Sequence, residues 1–201
     1  MELPLRAMPV SADYALIVEC LGGNADAFAE LMARHRNGVY NFIRHTVGIE
    51  ADAQDIAQEV FVNAYIALPR FRADAPFEPW IYRIAVNACR SYFRKKRTAL
   101  FSLDSGYLAR SIRAGDVGDP VRRLEKEDSR RRLLSALASI TPEQRMVIVL
   151  KHLNGESYET ISSMLGIPVS TVEHRLRAGR LALRKRLGDD FLERAGGGGN
   201  G

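Results

Sequence analysis

Apolar residues recur at helical spacing in one stretch of this chain after another, punctuated by glycine, proline and capping residues. Ser11 is placed to cap a helix that Gly22 and Gly23 end, and Asn24 to cap a longer one toward Gly48. Phe28, Leu31, Met32, His35, Val39, Phe42, Ile43 and Thr46 mark the buried side of that second helix. From Ala51 to Leu68 the apolar stripe is Ala53, Ile56, Ala57, Val60, Ala64, Tyr65 and Leu68, with Asp52, Asp55, Gln58, Glu59 and Asn63 opposite. Pro69 ends this helix, Pro76 and Pro79 fix a short loop, and a helical pattern resumes at Trp80.

The helix from Trp80 carries two stripes where a core helix needs one. Ile81, Ile84, Ala85, Ala88 and Tyr92 make the apolar face, while Arg83, Asn87, Arg90, Arg94 and Arg97 make a second, cationic one, with Lys95 and Lys96 beside it. Guanidinium groups grip phosphates through forked donors, and an asparagine can read a base edge. Trp80, Tyr82, Tyr92 and Phe93 lie among the cations and Phe71 and Phe77 flank the loop, a mixture suited to stacking unpaired bases. The stretch 71–97 therefore reads as a surface for nucleic acid, with Trp80 and Ile81 assigned to packing, and Tyr92 and Phe93 open to either role.

Thr98 to Asp119 shows no sustained period and contains three glycines, which reads as a linker. A charged helix follows over Val121–Ser139, with Leu124, Leu133, Leu134 and Leu137 apolar. Thr141-Pro142-Glu143-Gln144 writes a capping box with proline at the first helical position, and that helix stops at Asn154-Gly155. Ser157 caps a short helix to Leu165, Gly166 permits a turn, and Ser170-Thr171-Val172-Glu173 reads as a second capping box heading a long basic helix. Two short capped helices joined through Gly166-Ile167-Pro168 form a helix-turn-helix pattern, with Val172, Leu176, Leu181 and Leu183 holding the second helix to the core. Ser170, Thr171, His174, Arg175, Arg177 and Ala178 are left to face DNA near the N-terminal half of this helix, Arg180, Arg184, Lys185 and Arg186 extend the charge, and Glu173 is assigned to capping over base contact.

The expected fold is all-α: an N-terminal segment (1–23), a helical domain (24–97), a linker (98–120), a helix-turn-helix domain (121–190) and a disordered tail (191–201). Charge sharpens this division more than the modest excess of 29 Lys and Arg over 24 Asp and Glu. Residues 45–69 hold four carboxylates and no Lys or Arg, whereas 81–103 hold six Lys or Arg and no carboxylate. Two surfaces with different partners follow, the acidic one being either merely solvated or a protein-docking face, and its position before the basic helix favours docking. Cys20 and Cys89 have no metal or disulfide spacing, His35 reads as a core residue, and no nucleophile set or phosphate loop suggests an enzyme or a cofactor. The expectation is a cytoplasmic chain without signal peptide, membrane insertion or metal.

DAQDIAQEVFVNAY, FRADAPFEPWIYRIAVNACRSYFRKKR and LSALASITPEQRMVIVLKHLNGESYETISSMLGIPVSTVEHRLRAGRLALRKRL, in that order, resemble the extracytoplasmic-function sigma factors of bacterial RNA polymerase. The resemblance implies that Asp52, Asp55, Gln58 and Glu59 dock on core polymerase. It implies that Arg72, Phe77, Trp80, Arg83, Asn87, Arg90, Tyr92, Arg94 and Lys95 serve the minus-ten element, where a non-template base is flipped out. Ser170, Thr171, His174, Arg175, Arg177 and Arg180 would then read the duplex minus-thirty-five element. Arg83 has a second reading, as the partner of an internal acid such as Asp55. A stress or envelope-signal regulon and a separate anti-sigma protein also follow from the resemblance alone. The competing function is a free-standing helix-turn-helix activator, for which a single-strand surface in the first domain has no use.

Overall fold

The computed structural model describes residues 12–72, 76–102 and 132–187, with backbone alone at 99–102. Every regular element among them is helical: α1 (Ala12–Leu21), α2 (Ala25–Val47), α3 (Glu50–Ala67), a single 3-10 turn (Leu68–Arg70), α4 (Phe77–Ser102), α5 (132–138), α6 (Pro142–His152), α7 (Tyr158–Leu165) and α8 (Val169–Leu187). Ser11, residues 103–131 of the expected linker and second-module start, and the tail lie outside the described residues. Residues 98–102, expected as linker, instead continue α4 as helix.

Local chemistry accounts for the helix ends. Asn24 accepts from the amides of Asp26 and Ala27 at the head of α2, and Gly48 closes that helix at φ 83°. Thr141 and Gln144 form the reciprocal capping box of α6, and Ser157 accepts from the Thr160 amide at the start of α7. Gly166, at φ 64°, ends α7 in the left-handed region, where a side chain would be strained.

The start of α8 corrects the reading of the sequence. The helix begins at Val169, and the amides of Thr171 and Val172 both donate to the Pro168 carbonyl, so Ser170 lies inside the first turn rather than capping it. Pro168 lacks an amide hydrogen and is a natural place for the helix to start, and the second capping box is not formed. Leu181 is also misassigned, since it is 56% exposed. The buried face of α8 is Val172, Leu176, Gly179 and Leu183, a run of i, i+4, i+7 and i+11 that takes glycine as its third member. A Cβ at Gly179 would stand 3.1 Å from Ile148 Cγ1, so the glycine lets α8 approach α6 closely.

In the N-terminal half, α2, α3 and α4 pack together and α1 lies on α2. Leu31, Val39, Phe42, Ile43, Ala53, Val60, Ala64, Ile81, Ala85, Val86 and Cys89 are fully buried there. Asp13 of α1 meets His35 of α2 at 2.8 Å, which satisfies the histidine as a structural group. In the C-terminal half α6, α7 and α8 close around Met146, Val147, Val149, Leu150, Ile161, Met164 and Val172. The halves are not separate: α7 lies along α4, α6 lies against α2, and one continuous apolar core runs through both.

Candidate nucleic-acid interface

An aromatic cluster anchors the beginning of α4. Phe71 meets Phe77 and Trp80 edge-on, with ring centroids at 5.7 and 5.2 Å, and Phe77 also contacts His35 at 5.1 Å. Phe77 is buried at 4% exposure, so its ring is a footing for the loop in this arrangement and does not itself reach nucleic acid. Trp80 is half-buried, with one side on Phe77 and part of its surface open, and Arg72 is exposed at the loop's edge. Ile81 is fully buried, in keeping with its packing role.

Farther along α4, Arg83, Asn87, Arg94 and Lys95 are exposed and Arg90 is half-buried. Two of these cations have neutral partners in the other domain. Arg83 Nη2 donates to the Ser163 carbonyl at 2.9 Å, and Arg90 Nη2 donates to the Leu165 carbonyl at 3.0 Å. Asp55 is therefore not the partner of Arg83. Burial lowers the pKa of Arg90, and Arg175 of α8 acts in the same direction. Arg94 donates to Ser91 Oγ at 3.1 Å, one turn back on its own helix.

Tyr92 lies where the basic and acidic helices meet. Its hydroxyl donates to Asp52 at 2.7 Å, and burial followed by this carboxylate pushes the phenol above its ordinary value. Its ring packs edge-on against Phe93 at 5.2 Å. Half-buried Asp52 is thus partly committed to α4, while Asp55, Gln58 and Glu59 are exposed on α3. Val62, Tyr65 and Ile66, one turn or more along the same helix, are exposed too, at 58%, 57% and 68%. Tyr65 therefore does not belong to the buried stripe of α3; its ring stacks edge-on with Phe28 at 4.8 Å.

On the helix-turn-helix, Ser170, His174, Arg177 and Arg180 are exposed, and Thr171 and Arg175 are half-buried. Arg180 Nε donates to His152 Nε2 at 3.1 Å, which requires that nitrogen to be unprotonated. Burial lowers the His152 pKa, helped by Arg180 and Lys151, and so favours that form. Glu173 is exposed and free of any capping duty that a helix starting at Ser170 would have given it.

Sequence reasoning missed the residues that join the domains. Arg145, only 6% exposed, donates Nη1 to the Thr46 carbonyl at 2.7 Å and Nη2 to the Ile140 carbonyl at 3.3 Å, with its guanidinium 5.5 Å from the Phe93 ring centre. Asn154 Nδ2 donates to the Tyr82 hydroxyl at 2.6 Å. A glutamine-flanked arginine in a capped helix and an asparagine before glycine both look local in sequence, so no signal pointed across domains. Among the described residues there is no cluster of three or more potential metal ligands, and no helix is long and apolar enough to cross a membrane.

The architecture has clear relatives. Residues 31–99 match the family described as Sigma-70 region 2, and residues 130–183 match Sigma-70, region 4. The chain is 31% identical over 180 residues to the ECF RNA polymerase sigma-E factor of Escherichia coli (strain K12), covering 87% of this chain and 94% of the relative. It is 32% identical over 173 residues to the ECF RNA polymerase sigma factor SigW of Bacillus subtilis (strain 168), covering 83% and 92% respectively. Among solved structures, CnrH in complex with the cytosolic domain of CnrY superposes with TM-score 0.66 at 32% identity, over 90% of this chain and 99% of that one. The sigma factor RpoE of Bartonella quintana, in complex with the anti-sigma factor NepR, shares the fold at TM-score 0.65 and 20% identity, over 81% and 98%.

A region 2 followed by a helix-turn-helix region 4 defines a sigma-70 type of transcription-initiation factor. The chain belongs to the extracytoplasmic-function (ECF) sigma factors of that family, DNA-binding regulators that direct RNA polymerase to promoters.

Proposed function

We propose the following division of labour within this sigma factor, which acts in the cytoplasm on core RNA polymerase. The exposed acidic side of α3, with Asp55, Gln58 and Glu59 and a lesser part for Asp52, docks on the polymerase. The basic side of α4, with Arg72 and Trp80 at its loop end and Arg83, Asn87, Arg90, Arg94 and Lys95 along it, holds the melted minus-ten strand. Phe77 supports the loop from beneath, and Tyr92 holds α4 to α3. The first half of α8, from Ser170 and Thr171 through His174, Arg175, Arg177 and Arg180, reads duplex DNA at the minus-thirty-five element.

The observation that carries this reading is the single helix α4, which exposes a row of cations and one amide while its other face is core, directly after a helix that exposes carboxylates. Unstacking a base costs a few kcal/mol, and stacking on aromatic groups returns about 1–3 kcal/mol per base, so opening needs no nucleotide hydrolysis. CnrH was solved with the cytosolic domain of CnrY bound, which supports a protein regulator for this chain; that this regulator is an anti-sigma protein, and that the regulon answers stress or envelope signals, belong to the same proposal.

Run-off transcription with core polymerase and a promoter library tests the assignment. Selective initiation is expected with this chain added, and charge removal along α4 is expected to lower it. Initiation no more selective than that of core enzyme alone overturns the reading.

A further inference from the structure

His35 touches more than the helix it ties down. Its Nε2 meets the Asp13 carboxylate of α1 at 2.8 Å, and its ring lies 5.1 Å, centre to centre, from that of Phe77 on α4. A carboxylate can only accept, so Nε2 carries the proton and donates. The histidine side chain is 12% exposed and that of Asp13 is 21% exposed, with Arg34 Nη1 at 3.5 Å from the other carboxylate oxygen. The pair therefore runs from the surface inward and ends on an aromatic ring.

Phe77 is in turn one corner of a triangle of rings. Phe71 stands 5.7 Å from Phe77 and 5.2 Å from Trp80, and Phe77 stands 5.2 Å from Trp80. Phe77 is buried, whereas Phe71 and Trp80 keep part of their surface open. The short helix α1 also touches the 3-10 turn that precedes Phe71. It thus braces the cluster at Phe71 through the turn and at Phe77 through His35.

We infer that His35 is a positioning residue for the minus-ten strand: held by Asp13, its ring sets the placement of Phe77 and, through Phe77, the open surface of Trp80 that meets an unpaired base. The inference rests on the assignment of Trp80 to that strand.

A residue that served packing alone would need no carboxylate partner, since an apolar side chain fills the same space without burying a polar ring. The last torsion of a histidine has broad wells, and the hydrogen bond to Asp13 selects one orientation within them. Aromatic contacts depend on the angle between the rings, here 57° for His35 with Phe77 and 40° for Phe77 with Trp80, so a turn of the first ring is passed to the third. A base stacks best on a surface already in place, because ordering that surface afterwards subtracts from the binding free energy.

Two measurements on the full chain test the role. Trp80 is the only tryptophan, so quenching of its fluorescence by acrylamide reports the cluster in the free protein. The promoter library, transcribed with core polymerase, reports discrimination at the minus-ten and minus-thirty-five elements separately. Asp13→Ala, and His35→Phe, which keeps a ring and loses the donor, should each change Trp80 quenching. Each should lower minus-ten discrimination by roughly 2- to 10-fold, the range set by one net hydrogen bond. Minus-thirty-five discrimination should stay at the parent level, and the double variant should lose little more than either single one. Asp13→Asn, whose amide oxygen still accepts, should recover most of the loss. Circular dichroism separates a displaced cluster from an unfolded chain, and either single variant that folds suffices. Parent-like quenching or parent-like minus-ten discrimination in a folded variant overturns the inference. So does an equal loss at both promoter elements, which would make His35 a support of the fold alone. A parent chain without selective initiation, with quenching still altered in the variants, would instead remove the promoter assignment, so the two failures are distinguishable.

Discussion

The Tyr92 hydroxyl donates to Asp52 at 2.7 Å and thereby ties the basic helix α4 to the acidic helix α3. Lys96 Nζ donates to the same hydroxyl at 3.2 Å and stands 5.5 Å from the ring centre, so the phenol is held from both sides. A part-buried hydrogen bond to a charged acceptor contributes about 1.5–3 kcal/mol. Tyr92→Phe and Asp52→Ala should each destabilise the chain by about that amount in urea unfolding, and the double variant by little more than the larger single effect. Additive losses would show that the pair contributes nothing as a pair.

Because Asp52 is partly used in this way, polymerase docking should depend more on its exposed neighbours. Asp55→Lys with Glu59→Lys should weaken core binding at least tenfold while the melting temperature changes little, since exposed charges typically contribute about 0–1 kcal/mol each. The check is polymerase affinity measured beside thermal unfolding. A parallel fall in both would assign the two carboxylates to the fold.

Gly38 faces Tyr82, and a Cβ there would stand 2.8 Å from the phenol oxygen. Alanine in a helix interior is ordinarily better than glycine by roughly 1 kcal/mol, but here the added methyl displaces a hydroxyl held by Asn154. Gly38→Ala should therefore destabilise the protein, and the same change in a Tyr82→Phe background should be neutral or stabilising. Equal effects in both backgrounds, measured by urea unfolding, would reject the steric account.

What the sequence made legible was chemistry confined to a few neighbouring residues. Asn24, Thr141 and Ser157 announce their helices because a cap and its amides lie within three residues. Ser170 to Glu173 misled because the same letters can sit within the first turn of a helix that Pro168 has already started. Leu181 misled for a different reason: leucine looks like core, whereas the position that α6 actually needs is Gly179, chosen for its missing side chain. The acidic and basic faces were visible as charge segregation. Their connection through Tyr92 and Asp52 spans 40 residues, and the arginine-to-carbonyl ties have no partner side chain to look for at all.

Alkaline pH should weaken the fold in a predictable window. Burial pushes the Cys89 thiol up to about 12, and the phenols of Tyr82 and Tyr92 are raised above their ordinary values, first by burial. All three groups stay protonated in the folded chain while the unfolded chain loses their protons, so the unfolded state binds fewer protons and stability falls as pH rises. The contribution is complete below about pH 9, the ordinary thiol value, and erodes above it, with the phenols joining near pH 10. Each group can add up to about 1.4 kcal/mol per pH unit to the slope. Urea unfolding from pH 8 to about 11 should show this decline, and Cys89→Ala should remove its earliest part. A parent chain equally stable across that range would contradict the burial of these groups.

Arg177 and Arg175 should differ as DNA ligands even though they are two residues apart. Arg177 is exposed on α8 and can reach a duplex whether or not the domains are closed, while Arg175 is half-buried beside Arg90. Each phosphate contact that is lost removes one released counterion, so its removal should make the slope of log affinity against log salt shallower by about 0.9. For the free full chain on a duplex, Arg177→Ala should therefore reduce both affinity and slope, and Arg175→Ala should do so less. Affinity measured over a salt series decides the matter. Equivalence already in the free chain would mean that Arg175 is no less available when the domains are closed, and an unchanged slope for both would move the pair away from the DNA backbone altogether.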